Sequence, residues 1–277
     1  MKRKAINMKY PDDFINKIIC ADHLNIIKYI PDNIIDLTVT SPPYDNLRDY
    51  DGYNFYWEKL IPELFRITKQ GGVVVWIVGD QTINGSETGT SFKQALFFMK
   101  TGFNLHDTMI YEKTGIQYPD ITRYYNIFEY MFIFSKGKPK TINLISDRIN
   151  KEYGSTIHGT ERGKDGQLKQ NRRLKGKKIK LYGVRFNIWK YKTGKNNCTK
   201  DCIAYEHSAI FPDLLIWDHM RTWSNEGDII FDPMCGSGTV CKVAKFNNRK
   251  YIGIDCSEKY CEIVKERCGN TLWDDFS

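Results

Sequence analysis

Asp228-Ile229-Ile230-Phe231-Asp232-Pro233-Met234-Cys235-Gly236-Ser237-Gly238-Thr239 is an apolar run that stops at an acid and a proline and then turns on two glycines. The run predicts a strand over 228–231, and Val240 to Phe246 predicts a helix. Tyr251-Ile252-Gly253-Ile254 then reads as a second strand ending at Asp255. Strand, glycine turn, helix, strand and acid in this order form the pattern of a nucleoside-cofactor site. Gly236 and Gly238 let the backbone turn sharply and approach a ligand without a Cβ clash. A carboxylate at Asp255, about twenty residues on, can accept both hydroxyls of a ribose. On spacing alone a nicotinamide dinucleotide stays open, although Gly236-Ser237-Gly238 lacks the third glycine of that fingerprint.

Upstream, short apolar runs alternate with helical stretches, as in an α/β sheet. Strands are expected at Ile18–Ala21, Ile35–Thr40, Gly71–Val78, Leu105–Tyr111 and Glu129–Ser135, and helices at Phe55–Thr68 and Ser91–Lys100. Val73-Val74-Val75-Trp76-Ile77-Val78 is almost continuously apolar, which suits a strand covered on both faces. Downstream, Pro212 fits the first turn of a helix through Trp223, where its missing N–H costs nothing. Ser257 is a plausible N-cap for a closing helix to Arg267.

A second motif, Thr40-Ser41-Pro42-Pro43-Tyr44, ends the strand at 35–40. Two successive prolines supply no N–H donors and hold the backbone extended. The Ser41 hydroxyl and the Pro42 carbonyl are then left as acceptors, and Tyr44 supplies a ring for stacking. A Pro-Pro turn alone is an ordinary way to end a strand; its pairing with the glycine loop is what points to chemistry.

Charge divides the chain. Lys136 to Lys200 holds 19 Lys/Arg against 4 Asp/Glu, a block near +15 in a chain of +8 overall, so the remainder is acidic. Periodicity collapses between Gly137 and Asp201, where aromatics are dispersed at Tyr153, Tyr182, Phe186, Trp189 and Tyr191. Basic residues interleaved with aromatics can neutralise phosphates and offer flat faces to bases, so the segment is a candidate polyanion-binding insertion. The alternative for each aromatic is a place in a small core. The expected division is 1–136, an insertion over 137–202, and 203–277.

Eight cysteines include no Cys-x-x-Cys pair and no knuckle spacing, so no metal site is expected and the thiols read as reduced. No uninterrupted apolar stretch follows Met1–Met8, so neither a signal peptide nor a membrane span is expected, and a cytoplasmic enzyme fits.

Taken together, Ser41-Pro42-Pro43-Tyr44, the Asp232 to Thr239 loop, Ile19-Cys20-Ala21-Asp22 and His207-Ser208-Ala209-Ile210-Phe211-Pro212 resemble the amino-methyltransferases of bacterial and phage DNA. The order, with the catalytic motif before the target-recognition region and the cofactor motif after it, resembles their permuted β group over nearly the whole length. The resemblance implies a Rossmann-like fold: a mostly parallel seven-stranded sheet with helices on both faces, plus a loop-rich target-recognition insertion. It implies S-adenosylmethionine as cofactor, with Asp22, Phe211, Asp232, Pro233, Gly236, Ser237, Gly238, Thr239 and Asp255 around it. Asp22 would meet the adenine, and Phe211 and Asp232 the methionine side. Ala21 stands where glycine is common in the family, Ser208 where proline is usual, and Met234 departs from the commoner phenylalanine.

Catalysis would fall to Ser41, Pro42, Pro43 and Tyr44, which would hold an exocyclic base amine in line with the donor methyl. Serine rather than aspartate before Pro-Pro-Tyr points to cytosine N4, with adenine N6 the alternative. Double-stranded DNA is the implied partner, and Arg172, Arg173, Lys177, Lys178, Arg185, Asn187 and Lys190 are candidates to touch it. A companion restriction endonuclease and a homodimer are partners the resemblance allows. A nicotinamide oxidoreductase leaves the proline motif and the basic block unexplained; an inactive DNA-binding relative and an RNA methyltransferase are the other rivals.

Overall fold

Val73 to Val78 are each at most 1% exposed, so the most apolar run in the sequence lies mid-sheet, covered on both sides. The structure, a computed structural model, describes residues 8–43, 55–115, 121–170, 175–207 and 210–270. Among these, eight strands form one sheet: β1 Lys17–Cys20, β2 Ile35–Thr40, β3 Thr68–Val78, β4 Asn104–Lys113, β5 Phe128–Ser135, β6 Ile188–Tyr191, β7 Ile229–Asp232 and β8 Lys250–Asp255. Their spatial order is β1-β8-β7-β2-β3-β5-β4-β6. Only β5 runs against its neighbours; every other pairing is parallel. The architecture is the mainly parallel Rossmann-like α/β fold, with one strand more than the expected seven.

The helices are α1 His23–Ile26, α2 Trp57–Ile67, α3 Thr90–Thr101, α4 Asp213–Trp223, α5 Thr239–Phe246 and α6 Glu258–Asn270. Strand alternation sends neighbouring side chains to opposite faces. Val74, Trp76, Val78, Phe132 and Phe134 join Leu60, Ile61 and Leu64 of α2 and Ala95 and Phe98 of α3 in one core. Phe98 stacks on Phe134 with centroids 4.1 Å apart, and the buried Trp76 indole donates to Gln94 Oε1 at 2.8 Å. Met131, one residue before Phe132, points the other way and meets His219 of α4 at 3.1 Å. Helices thus cover both faces. Pro212 is extended (ψ 129°) and precedes α4 as its N-cap rather than lying in its first turn.

Two compact units emerge: 1–143 with 187–277, and 144–186. The smaller unit is narrower than the basic insertion expected over 137–202, because 137–143 and 187–202 fall in the larger one, where 188–191 joins the sheet. Ile188–Tyr191 pairs in parallel with Ile110–Lys113, and its exposed-buried alternation sets Trp189 and Tyr191 inward at 6% exposure each. The smaller unit is built from short ladders, Arg148–Ile149 against Tyr182–Gly183 and Thr160–Arg162 against Leu168–Gln170. No helix among the described residues is long and apolar enough to cross a membrane.

Candidate active site

Because β2 and β7 are parallel neighbours, with Leu37 opposite Ile230 and Thr38 opposite Phe231, the segments that follow them leave the same edge of the sheet. Two motifs nearly two hundred residues apart meet there: the Thr40 hydroxyl donates to Asp232 Oδ1 at 2.8 Å, both side chains buried. Ser41 follows at once. Pro42 is buried, and Ser41 and Pro43 are half-buried. Tyr44, expected to complete the motif, lies outside the described residues.

The glycine loop is pinned at several points. Met234 N–H donates to Asp232 Oδ1 (3.2 Å), Cys235 N–H to the Ile254 carbonyl (2.9 Å) and Gly236 N–H to Asp255 Oδ2 (2.8 Å). Gly236 and Gly238 have φ of +50° and +77°, and a Cβ on Gly238 would lie 2.3 Å from Val264 Cγ1. A Cβ on Gly236 would come within 2.8 Å of His207 Nε2. Glycine is therefore required at both places by backbone conformation and by close packing. Pro233 and Ser237 are buried, and Thr239 opens α5.

Cys20 of β1 lies opposite Asp255 of β8, so Asp22 and Asp255 come off adjacent strand ends. Asp22 caps α1 by accepting from Leu24 N–H at 2.8 Å. Asp255 accepts Gly236 N–H on one oxygen and Ser257 N–H (2.9 Å) on the other. Each carboxylate oxygen has two lone pairs, so Asp255 keeps capacity for ribose hydroxyls. Phe211 is half-buried just before α4, and His207 packs edge-on against Tyr260 at 4.3 Å.

Burial sets the electrostatics. It pushes the Asp232 carboxyl up to about 7, against the Thr40 and Met234 hydrogen bonds and with further repulsion from Asp255. Burial also raises Asp255, offset by backbone donors from Ser257, Gly236 and Cys256. His23, next to Asp22, is lowered by burial to about 4 despite that carboxylate. Three carboxyl groups converging on a partly dry edge favour a ligand that carries positive charge.

The candidate DNA contacts fall in different places. Arg172 and Arg173 lie outside the described residues, and Lys177 and Lys178 are exposed on the smaller unit. Arg185, also in that unit, is clamped by Asp147, its Nε 3.0 Å from Oδ2. Asn187 and Lys190 belong to the larger unit, where Asn187 donates to the Thr108 carbonyl (3.2 Å) and Lys190 pairs with Glu112. The dispersed aromatics separate cleanly: Trp189 and Tyr191 are core, whereas Tyr153, Tyr182 and Phe186 are 64%, 50% and 66% exposed. Asp201, Asp213, Lys242 and Arg267 went unremarked in the sequence, because no motif or period marks a charged residue that will be buried behind the glycine loop.

A family model described as DNA methylase matches residues 35–266. The orphan methyltransferase M.BamHII of Bacillus amyloliquefaciens is 60% identical over 245 residues, covering 88% of this chain and 92% of that protein. Among solved structures, the PvuII DNA methyltransferase (cytosine-N4-specific) superposes with a TM-score of 0.65 at 18% identity, covering 93% of this chain and 87% of that one. The M1.HpyAVI–SAM complex does so with 0.58 at 20% identity, covering 91% and 98%.

Proposed function

This chain belongs to the N6/N4 DNA methylase family, and we propose that it is a permuted, β-group site-specific DNA methyltransferase that methylates the N4 amine of cytosine from S-adenosylmethionine. The observation that carries the reading is the Thr40–Asp232 hydrogen bond, which brings the Ser-Pro-Pro segment and the glycine loop to one sheet edge.

The residues fit the cofactor by the chemistry of their donor set. Asp255 and Asp22 end adjacent strands, where they can accept from ribose hydroxyls and the adenine amine. The 232–239 loop and Phe211 would hold the methionine end. When bound, the sulfonium of S-adenosylmethionine supplies an electrophilic methyl, and its positive charge suits an edge lined with carboxylates.

An exocyclic amine is a weak nucleophile because its lone pair is delocalised into the ring. Ser41 Oγ and the Pro42 carbonyl accept its two hydrogens and hold the nitrogen toward the donor methyl, and Tyr44 stacks on the base. Serine is no base at neutral pH, so its contribution is positioning, and the proton lost from nitrogen passes to water. The target amine is paired inside a duplex, so the base must be rotated out at a cost of roughly a few kcal/mol. Supporting a DNA-reading role for residues 144–186 are 12 Lys/Arg against 4 Asp/Glu and the exposed Tyr153, Tyr182 and Phe186.

The N4 assignment is supported by Ser41 where an aspartate would favour adenine, and by the cytosine-N4-specific description of the PvuII enzyme. The test is transfer of labelled methyl onto duplex DNA followed by mass spectrometry of its nucleosides. N4-methylcytosine is expected. N6-methyladenine alone would move the enzyme to the adenine class, and label entering RNA but no duplex would overturn the DNA reading.

A further inference from the structure

Behind the glycine loop, four charged side chains are shut away from water: Arg267 at 0% exposure, Lys242 at 2%, Asp213 at 4% and Asp201 at 9%. Lys242 Nζ bonds Asp201 Oδ2 at 2.6 Å and Asp213 Oδ2 at 2.9 Å. Arg267 Nε lies 3.0 Å from Asp201 Oδ2, and its Nη2 lies 3.4 Å from Asp213 Oδ1. The remaining arm is turned to the loop: Nη1 donates to the Ser237 carbonyl at 2.5 Å and to the Thr239 hydroxyl at 3.2 Å. Thr199 completes the set by donating to Asp213 Oδ2 at 2.8 Å.

Two positive and two negative charges cancel, yet burying them gives no clear gain in stability, because desolvation offsets the attraction and an apolar set of equal volume often does as well. What an apolar set could not do is grip backbone. Ser237 sits between two glycines of positive φ, a stretch with little conformational preference of its own. Arg267 fixes that stretch from behind through the Ser237 carbonyl, while Asp255 fixes it through Gly236 N–H. The planar guanidinium is suited to this, since its donors are set in a rigid fork that can serve a carbonyl, a hydroxyl and two carboxylates together.

The two aspartates bracket a second wall. Asp201 immediately precedes the turn Cys202–Glu206, and Asp213 opens α4. Between them lie His207, against which Gly236 packs, and Phe211. One cluster therefore ties the glycine loop, α5, α6 and the 201–213 segment together.

We infer that Arg267, supported by Lys242, Asp201 and Asp213, is a positioning residue that locks the glycine loop and the 201–213 segment into a single cofactor-binding arrangement. It acts through Ser237 and Thr239 and touches no reacting atom. The inference rests on the reading that residues 232–239 hold S-adenosylmethionine.

The test is Arg267→Lys in the full-length protein, which keeps all four charges but loses the fork. Cofactor Kd by calorimetry and KM by methyl transfer should rise about tenfold or more. At saturating cofactor kcat should stay within about threefold and DNA affinity near wild type, while Tm falls because buried acceptors lose their donor. Unchanged cofactor affinity in the folded variant would overturn the inference. So would a loss of DNA affinity as large as the loss of cofactor affinity, which is the mark of a purely structural role. If Arg267→Lys does not fold, the charge-balanced pair Lys242→Met with Asp201→Asn takes its place under the same criteria. Wild-type calorimetry separates the two levels of argument: no binding of S-adenosylmethionine to wild type sinks the cofactor reading itself, whereas normal wild-type binding with unaltered variants sinks only the role of Arg267.

Discussion

Ser41 and Asp232 illustrate two ways in which one residue works at the sheet edge. Ser41 is expected to hold an amine hydrogen, so Ser41→Ala should lower kcat by about 10²-fold through misplacement of the nucleophile. Cofactor Kd should stay within about twofold, and a variant that keeps kcat would remove Ser41 from the chemistry. Asp232 is a group whose burial raises its pKa from 3.8 to about 7. The folded state thus holds that proton more tightly than the unfolded chain does. The stability it contributes is complete below about pH 4 and is lost as pH rises through about 7. Chemical unfolding of wild type and Asp232→Asn from about pH 4 to 8 should show wild type losing ground to the variant by up to about 1.4 kcal/mol per pH unit within that window. A difference that is flat with pH would contradict it.

At the scale of elements, the strand–glycine–helix unit 229–246 was legible because its demands are local. An apolar strand, two residues of positive φ and a helix start each leave a mark within a few positions. Ile35–Thr40 and Val73–Val78 were legible for the same reason: buried parallel strands are written as unbroken apolar runs. Ile188–Tyr191 was not, because its alternating Ile-Trp-Lys-Tyr is short and embedded among Lys, Asn and Gly, so the surrounding composition outweighed the period-two signal. Gly238 offers a test of the loop. Gly238→Ala places a Cβ at φ +77° and 2.3 Å from Val264, costing about 1–2 kcal/mol for the backbone alone and more for the clash. The double variant with Val264→Ala should recover most of the clash but not the backbone cost, since the Val264 methyls at 2.3 and 2.7 Å are gone while its Cβ still lies 2.9 Å away. Calorimetric melting of wild type, Gly238→Ala, Val264→Ala and the double variant checks the order, and a double variant as stable as Val264→Ala alone would show that the backbone term is absent.

For the molecule as a whole, the acidic enzyme body and the basic segment were legible as a charge asymmetry, but the boundaries of the segment were not. Charge reports where a polyanion could bind and carries no information on which residues pair into a sheet. Replacing Lys175, Lys177, Lys178 and Lys180 with Gln should weaken duplex binding at low salt and reduce the slope of log K against log salt by about 0.9 for each phosphate no longer neutralised. S-adenosylmethionine affinity should be untouched. Unaltered DNA binding across salt concentrations would relocate the nucleic-acid surface. The buried quartet was illegible for a different reason: a charged residue reads as solvent-facing until its partner is known, and Asp201 and Arg267 find each other only in the folded chain.

The strand order has a consequence for how the protein is born. β1 pairs only with β8 among the described strands, and β8 and β7 separate it from β2. A ribosome that has made residues 17–20 must add more than two hundred further residues before β7 and β8 exist, a wait of about 10–40 s at roughly 5–20 residues per second. Until then the first strand has no neighbour in the sheet, and Thr40 has no Asp232. A nascent or prematurely released chain already carries the basic segment but is incapable of marking DNA; competence arrives in one late step, when β7 and β8 slot in between β1 and β2.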